Sequence, residues 1–180
     1  MSKIILIGGV LAAGKSTYAN ILKEKFNLMV ITKDRLKEIL GDTIIVNNRE
    51  ENKKLSVVCF ELLKYLLECN QSNIVFESNF KDYELIELQK LCEELNYDVL
   101  SLVFDASNEI LHQRFLKRLD ENRHYVHKSQ DFSDIFDFVE VINNLRNAKY
   151  FGKIVNVFCD DFDYQKDEVL FEKIKSFLYN

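Results

Sequence analysis

The chain has 180 residues, of which 47% are hydrophobic, and its formal net charge is −5 at pH 7. This length predicts a single domain over residues 1–180 with a substantial core, and the acidic balance argues against a general nucleic-acid or membrane-surface binder. No apolar stretch is long enough to span a bilayer, and the short N-terminal apolar run is not a signal peptide, so we expect a cytoplasmic protein.

The first predicted elements are a buried strand at residues 3–7 and a helix at residues 16–25. Between them, Gly9-Val10-Leu11-Ala12-Ala13-Gly14-Lys15-Ser16 fits the phosphate-binding pattern G-x-x-x-x-G-K-[ST], and Thr17 follows. In such a loop, backbone N–H groups at a helix N-terminus bind phosphate. Lys15 is placed for the β- and γ-phosphates, and the Ser16 hydroxyl is placed for Mg²⁺. The predicted phosphate-binding residues are Gly9, Ala12, Ala13, Gly14, Lys15, Ser16 and Thr17.

Strands and helices alternate along the rest of the chain. Further strands are predicted at residues 28–31, 74–76, 99–104 and 154–158. Helices are predicted at residues 34–40, with Gly41 at the end, and at 82–95, 107–119, 135–149 and 167–178. A further helix is opened by the polar residues 47–54, has an apolar stripe at residues 55–66 and is broken at residues 70–73. This alternation predicts an α/β fold with a five-stranded parallel sheet and helices on both faces. The polar segment at about residues 120–133 joins two helices, and we expect it to form a lid.

Polar residues follow two of these strands, where a parallel sheet places its ligands. Asp34 could accept or orient the proton of an attacking hydroxyl, or it could cap and charge the first turn of its helix. Glu77 directly follows an apolar strand and could bind Mg²⁺ through water or contact a substrate. Asn79 could join it through its amide, although turn chemistry explains this residue equally well.

Three arginines precede or enter the polar segment. Arg114 and Arg118 lie one helical turn apart and share a face, and Arg123 follows. Guanidinium groups near a phosphate site can neutralise a phosphoryl group in transfer. A solvated helix face is the alternative interpretation, and it is strongest for Arg114.

The histidines and cysteines do not form a metal motif. His124 and His127 lack zinc-helix spacing, and they are expected in an exposed segment, where a substrate contact stays open. The cysteines lack C-x-x-C spacing and are expected to be reduced and buried. They are Cys59, Cys69, Cys92 and Cys159.

Taken together, these motifs resemble the P-loop kinases, and most closely the small ATP-binding phosphotransferases labelled AAA-type. That group includes the 5′-kinase domain of polynucleotide kinase, chloramphenicol phosphotransferase and the zeta toxins. The resemblance implies that ATP and Mg²⁺ bind the loop, that Asp34 activates an acceptor hydroxyl, and that lid arginines close over the phosphoryl group. By the same resemblance, Arg114 contacts adenine, and the segment after the fifth strand, residues 159–161, lies near the base.

One position departs from the polynucleotide kinases. Where those enzymes often carry an arginine three residues after the acid, this chain has Lys37, which does not reproduce a bidentate grip on phosphate. We therefore predict a kinase that transfers the γ-phosphoryl group of ATP to a hydroxyl or phosphate of a small molecule. Lys37 joins Asp34, Glu77 and Asn79 as the predicted acceptor contacts, and Lys15, Asp34, Arg118 and Arg123 are the predicted catalytic residues.

Two alternatives stay open. A polynucleotide 5′-hydroxyl kinase is not favoured, because the acidic chain gives little sign of a basic groove for a strand. A nucleotide-binding ATPase or switch without an acceptor is the other alternative, although the chain lacks the N-K-x-D segment with which a GTPase reads guanine. No membrane or protein partner is predicted, and the acceptor cannot be identified from the sequence.

Overall fold

The computed structural model describes residues 2–119, 123–127 and 134–179. Its five strands are β1 (Lys3–Gly9), β2 (Met29–Thr32), β3 (Ile74–Glu77), β4 (Asp98–Asp105) and β5 (Lys153–Phe158). Its seven α-helices are α1 (Lys15–Phe26), α2 (Lys33–Thr43), α3 (Arg49–Cys69), α4 (Asp82–Glu94), α5 (Asn108–Leu119), α6 (Ile135–Arg146) and α7 (Glu168–Tyr179). Short 3-10 turns lie at Tyr125–His127 and Asp163–Lys166. The predicted elements are therefore confirmed, with boundaries shifted by one to three residues.

The sheet has the order β2-β3-β1-β4-β5, and all neighbouring strands pair in parallel. β1 therefore lies at the point where the chain changes direction across the sheet, which is where open α/β sheets bind ligands. The register pairs Glu77 with both Ile7 of β1 and Thr32 of β2. The carboxyl ends of these three strands consequently lie side by side.

The core is divided between the two faces of the sheet. Because successive residues of a strand point to opposite faces, Ile5 and Ile7 pack in one cluster and Ile4 and Leu6 in the other. The first cluster includes apolar residues of α1, α5, α6 and α7, and the second includes those of α3 and α4. Helices on both faces and a parallel sheet between them confirm the predicted fold class.

A third, smaller cluster joins α2, α3 and the first 3-10 turn. It contains Leu55, Cys59 and Val126, with Leu36 and Leu40 packed against it. Gly41 lies at this contact, and a Cβ atom there would be 2.6 Å from Cγ1 of Val126. The expectation that Gly41 ends its helix is therefore wrong: α2 continues to Thr43, and the glycine permits the close approach of the turn.

One cysteine differs from expectation. Cys59, Cys92 and Cys159 are buried, but Cys69, the last residue of α3, is exposed. All four are free thiols. No helix in the described part of the chain is long and apolar enough to cross a membrane.

Candidate active site

The phosphate-binding loop is built by glycines that no larger residue could replace. Gly9 has a φ of 111° and Gly14 a φ of 87°, in the region that favours glycine. A Cβ atom at Gly9 would lie 2.0 Å from the carbonyl oxygen of Phe104, and one at Gly14 would lie 2.1 Å from the Tyr164 hydroxyl. Ala12, with a φ of 61°, adds a further left-handed residue. Such a loop at the start of α1 forms a concavity suited to an anion.

Lys15 is the first residue of α1 and is buried, with Nζ donating to the carbonyl oxygen of Val10. Burial, with a smaller contribution from the charge of Arg118, lowers the pKa of this lysine to about 8. Glu77 and Asp34 act in the opposite direction. A buried ammonium with few acidic partners is stabilised most when a bound phosphate supplies further negative charge.

The hydroxyl of Ser16 lies 3.3 Å from Oε2 of Glu77 and donates to it. Burial raises the pKa of Glu77 to about 7, a change that Asp34 reinforces and that Lys15, Ser16 and Arg118 oppose. A hydroxyl and a single carboxylate are the oxygen ligands with which proteins hold Mg²⁺ beside substrate phosphates. The residues present therefore fit the predicted ion. Within the described ranges, no group of three or more His, Cys, Asp and Glu side chains could hold a metal by itself.

Asp34 is an exposed residue in the first turn of α2. The cap of this helix is Thr32, whose side chain accepts a hydrogen bond of 3.3 Å from the Arg35 N–H. Asp34 therefore does not cap the helix, but it does lie in the first turn, so the alternative in which it charges that turn stays open beside the functional one. Lys37 lies one turn further along α2, and burial lowers its pKa.

Asn79 follows β3, and its Oδ1 atom is buried without a hydrogen-bond partner in the structure as described. An acceptor that is buried without a hydrogen-bond partner destabilises the folded protein unless a ligand donates a hydrogen bond to it. Because Asn79 also contacts the cavity described next, its amide is available to a bound molecule.

One cavity of about 400 Å³ brings most of the predicted residues together. They come from the phosphate-binding loop, from α2, from the end of β3 and from the two sides of the lid segment. These residues are Ala12, Ala13, Gly14, Lys15, Ser16, Asp34, Lys37, Glu77, Asn79, Arg118 and Arg123. Of the segment expected to form the lid, residues 120–122 and 128–133 lie outside the described residues.

Gly9, Thr17 and Arg114 do not contact this cavity. Arg114 instead donates to the carbonyl oxygens of Cys159 at 2.7 Å and Asp160 at 3.3 Å. Its guanidinium carbon lies 4.9 Å from the centre of the Phe162 ring. The arginine and the segment after β5 are therefore neighbours.

The two lid histidines are less exposed than expected, because both pack against α2. His127 has a side chain only 10% exposed and lies 3.2 Å from Glu38, and burial lowers its pKa. His124 lies 3.0 Å from Asp42. His127 also contacts the cavity, so the substrate contact that the sequence left open stays open for this residue.

Sequence reasoning missed a second set of polar residues around the cavity. Arg49, Asn52, Lys53 and Ser56 all contribute to its wall from α3. Their spacing of three and four residues places them on one face of the helix. That spacing did not distinguish them, because a polar helix start with such a face resembles an ordinary solvated surface.

Residues 4–132 match a family described as an AAA domain. The chain belongs to the AAA domain family. This membership confirms the resemblance to the AAA-type ATP-binding group that the motifs indicated. No curated protein matches this AAA domain.

Solved structures share the fold of this AAA domain over its whole length. A protein from Chloroflexus aurantiacus described as a candidate kinase is 20% identical, with 99% of each chain covered and a TM-score of 0.81. Shikimate kinase from Bacteroides thetaiotaomicron is 15% identical, with 99% of each chain covered and a TM-score of 0.62. A gluconokinase from Sinorhizobium meliloti is 15% identical, covers 99% of this chain and 98% of its own, and has a TM-score of 0.55.

Proposed function

We propose that this AAA domain is an ATP-dependent kinase that transfers the γ-phosphoryl group to a small-molecule acceptor. One observation carries the proposal: the phosphate-binding Lys15 and the exposed carboxylate of Asp34 contact the same cavity. The cavity volume of about 400 Å³ is in the range of small-molecule sites. The small-molecule kinases among the solved structures, which act on shikimate and gluconate by their names, support an acceptor of this size.

In the proposed complex, the triphosphate lies on the loop at Gly14, and Lys15 exchanges its bond to Val10 for the β- and γ-phosphates. Ser16 and Glu77 hold Mg²⁺, which supplies charge neutralisation to the phosphate oxygens. Arg118 and Arg123 contribute further positive charge at the transferring group. Such positioning and charge neutralisation account for most of the catalysis of phosphoryl transfer.

The acceptor oxygen forms a bond to the γ-phosphorus, and the bond from that phosphorus to the β–γ bridging oxygen breaks. ADP leaves with the electron pair of the broken bond. When the acceptor is a hydroxyl, its proton passes to the carboxylate of Asp34 and then to solvent. When the acceptor is a phosphate, no proton has to move, and Asp34 only orients it.

The test is a transfer assay with ATP labelled at the γ-phosphate and a panel of hydroxyl metabolites, sugars, nucleosides and 5′-hydroxyl oligonucleotides. Label on a small molecule supports the proposal. Label on oligonucleotides alone identifies the polynucleotide kinase instead. Release of labelled phosphate to water, at a rate that no compound changes, identifies an ATPase without an acceptor.

A further inference from the structure

The wall of the active-site cavity has a charge opposite to that of the whole chain. The chain carries a net charge of −5, yet among the residues that the structure describes, eight lysines and arginines and two carboxylates contact the cavity. The cations are Lys15, Lys33, Lys37, Arg49, Lys53, Lys81, Arg118 and Arg123, and the acids are Asp34 and Glu77. Like charges gathered around one space repel one another, so an anionic ligand would relieve the repulsion.

ATP accounts for only part of this excess. Lys15 belongs to the phosphate-binding loop, Arg118 to the end of α5 and Arg123 to the lid segment, where the triphosphate is expected. Lys33 is already paired with the buried Glu84. The remaining cations lie on α2, on α3 and just before α4, among the elements that carry the acceptor contacts Asp34 and Asn79.

Three of these remaining cations form a group on two helices that pack together. Arg49 and Lys53 lie one turn apart on the cavity face of α3, and Lys37 lies on α2. None of the three forms an ion pair with an acid in the part of the chain that the structure describes. Burial lowers the pKa of Lys37, and the negative charge of the nearby Asp34 offsets this only in part.

Contacts with the first 3-10 turn hold α3 in position close to Arg49 and Lys53. Asn52, between the two cations, donates from Nδ2 to the carbonyl oxygen of Val126 at 2.7 Å. Leu55 and Cys59, on the next turns, pack on Val126 as well. The segment of α3 that carries Arg49 and Lys53 is therefore attached to the 3-10 turn next to Arg123, while the two cations themselves are exposed where they line the cavity.

We propose that the phosphoryl acceptor carries an oxyanion group, a phosphate or a carboxylate, which Lys37, Arg49 and Lys53 bind while its reactive group faces Asp34. This inference rests on the proposed kinase function, because it describes the second substrate of that reaction. Arginine grips an oxyanion through two parallel hydrogen bonds, and lysine adds a point charge. The acceptor would then be selected by its charge as well as by its reactive oxygen.

The first experiment compares matched acceptors that differ only in the anionic group. Glycerol is compared with glycerate and with glycerol 3-phosphate, and ribose with ribonate and with ribose 5-phosphate, each with labelled ATP. We expect transfer to anionic members only, and the better of the carboxylate and phosphate series identifies the oxyanion. Equal transfer to the neutral members, or a preference for a 5′-hydroxyl oligonucleotide over every small anion, would overturn the proposal.

The second experiment removes the charges. The double variant Arg49→Gln/Lys53→Gln should raise the KM for the anionic acceptor by at least about tenfold, as loss of charge-assisted hydrogen bonds predicts. Its Kd for ATP should stay within about twofold of the wild-type value, because neither side chain belongs to the phosphate-binding loop. The matched control is Lys54→Gln/Lys90→Gln, which removes two exposed lysines outside the cavity and should change neither constant.

A third measurement does not depend on transfer. Inorganic phosphate is titrated calorimetrically into protein saturated with Mg²⁺ and a non-hydrolysable ATP analogue, so that the phosphate-binding loop is occupied. Binding that the Arg49→Gln/Lys53→Gln variant loses and the control variant keeps supports the anion site, even if no compound accepts label and the kinase function fails. Absence of phosphate binding in the wild-type protein, or equal binding in both variants, overturns the anion site whatever the transfer assay gives.

Discussion

The backbone N–H of Gly9 donates a hydrogen bond of 2.6 Å to the phenol oxygen of Tyr150. Gly9 is the first glycine of the phosphate-binding loop, and Tyr150 comes from the segment just before β5, 141 residues later in the chain. The ring also fills the space beside Gly8, where a Cβ atom would lie 2.2 Å from the phenol oxygen. The start of the loop is thus held from outside the motif.

Tyr150→Phe should therefore destabilise the protein, because it leaves the buried N–H of Gly9 without its acceptor. We expect the free energy of unfolding to fall by about 1–3 kcal/mol, the usual cost of an unpaired buried donor. Denaturant unfolding followed by circular dichroism measures it. Tyr179→Phe, which removes an exposed hydroxyl in α7, is the control. An unchanged unfolding midpoint in Tyr150→Phe would show that water replaces the phenol.

Lys15→Ala should weaken ATP binding, because it removes the buried ammonium that faces the β- and γ-phosphates. Loss of such a charge-assisted contact usually costs about 1.5–3 kcal/mol, or roughly ten- to a hundredfold in Kd. Calorimetry with ATP and Mg²⁺ is the measurement, and Lys23→Ala, an exposed lysine of the same helix, is the control. Wild-type protein that gives no heat at millimolar ATP would contradict the proposed nucleotide site altogether.

Asp34→Asn should slow transfer to the acceptor by about 10²–10⁴, the range for a positioned acid–base group. The Kd for ATP should change by no more than a few-fold, since Asp34 faces the acceptor. Stability should change little, because Thr32 caps α2. The control is Asp137→Asn, an exposed acid in the first turn of α6, where only the helix dipole is affected. Normal transfer in Asp34→Asn would shift the catalytic role to Glu77.

Glu77 should link stability to pH in the direction opposite to most carboxylates. Burial raises its pKa from 4.5 to about 7 in the folded protein, so the folded state binds more protons between these two values. The free energy of unfolding that this group contributes is therefore full below pH 4.5 and is lost as the pH rises through 7. The Glu77→Gln variant has no ionisable group at this position, so its free energy of unfolding does not fall for this reason as the pH rises. Its melting temperature should exceed that of the wild-type protein at pH 8 by about 2–6 °C, and the difference should close towards pH 4.5.

The same substitution should weaken Mg²⁺-dependent ATP binding at every pH, while the wild-type affinity should fall as the pH drops below 7 and Glu77 becomes protonated. Calorimetry at pH 6 and 8 tests both statements. Glu94→Gln, an exposed carboxylate at the end of α4, should show neither effect. A Glu77→Gln variant that melts below the wild-type protein at pH 8 would mean that the attraction between the Glu77 carboxylate and Lys15 outweighs the cost of burying that carboxylate.

The sheet could be predicted because its strands are short apolar runs bounded by polar turns, and each is followed by a helix. The phosphate-binding loop could be predicted equally well, because the spacing of Gly9 and Gly14 in the sequence determines the shape of the loop. Glu77 was predicted for a related reason: an acid directly after a buried strand must lie at the carboxyl edge of the sheet.

Residues whose role depends on how helices pack could not be predicted in the same way. Arg49 and Lys53 contact the cavity only because α3 packs on α2, and nothing local distinguishes them from solvated charges. Gly41 was misjudged for this reason too, since its small size serves a contact with Val126 and not the end of its helix. Arg114 shares a helix face with Arg118, yet its partners Cys159 and Asp160 come from a loop that sequence spacing does not locate.

The hydrogen bonds of Glu38 with His127 and of Asp42 with His124 attach α2 to the turn that follows Arg123. Asp34 and Lys37 are on that same helix. A molecule that displaces α2 when it binds must therefore carry the turn with it or break both contacts. In the proposed reaction, the acceptor contacts Asp34 and Lys37 are thus connected mechanically to Arg123, which is proposed to act on the phosphoryl group of the other substrate.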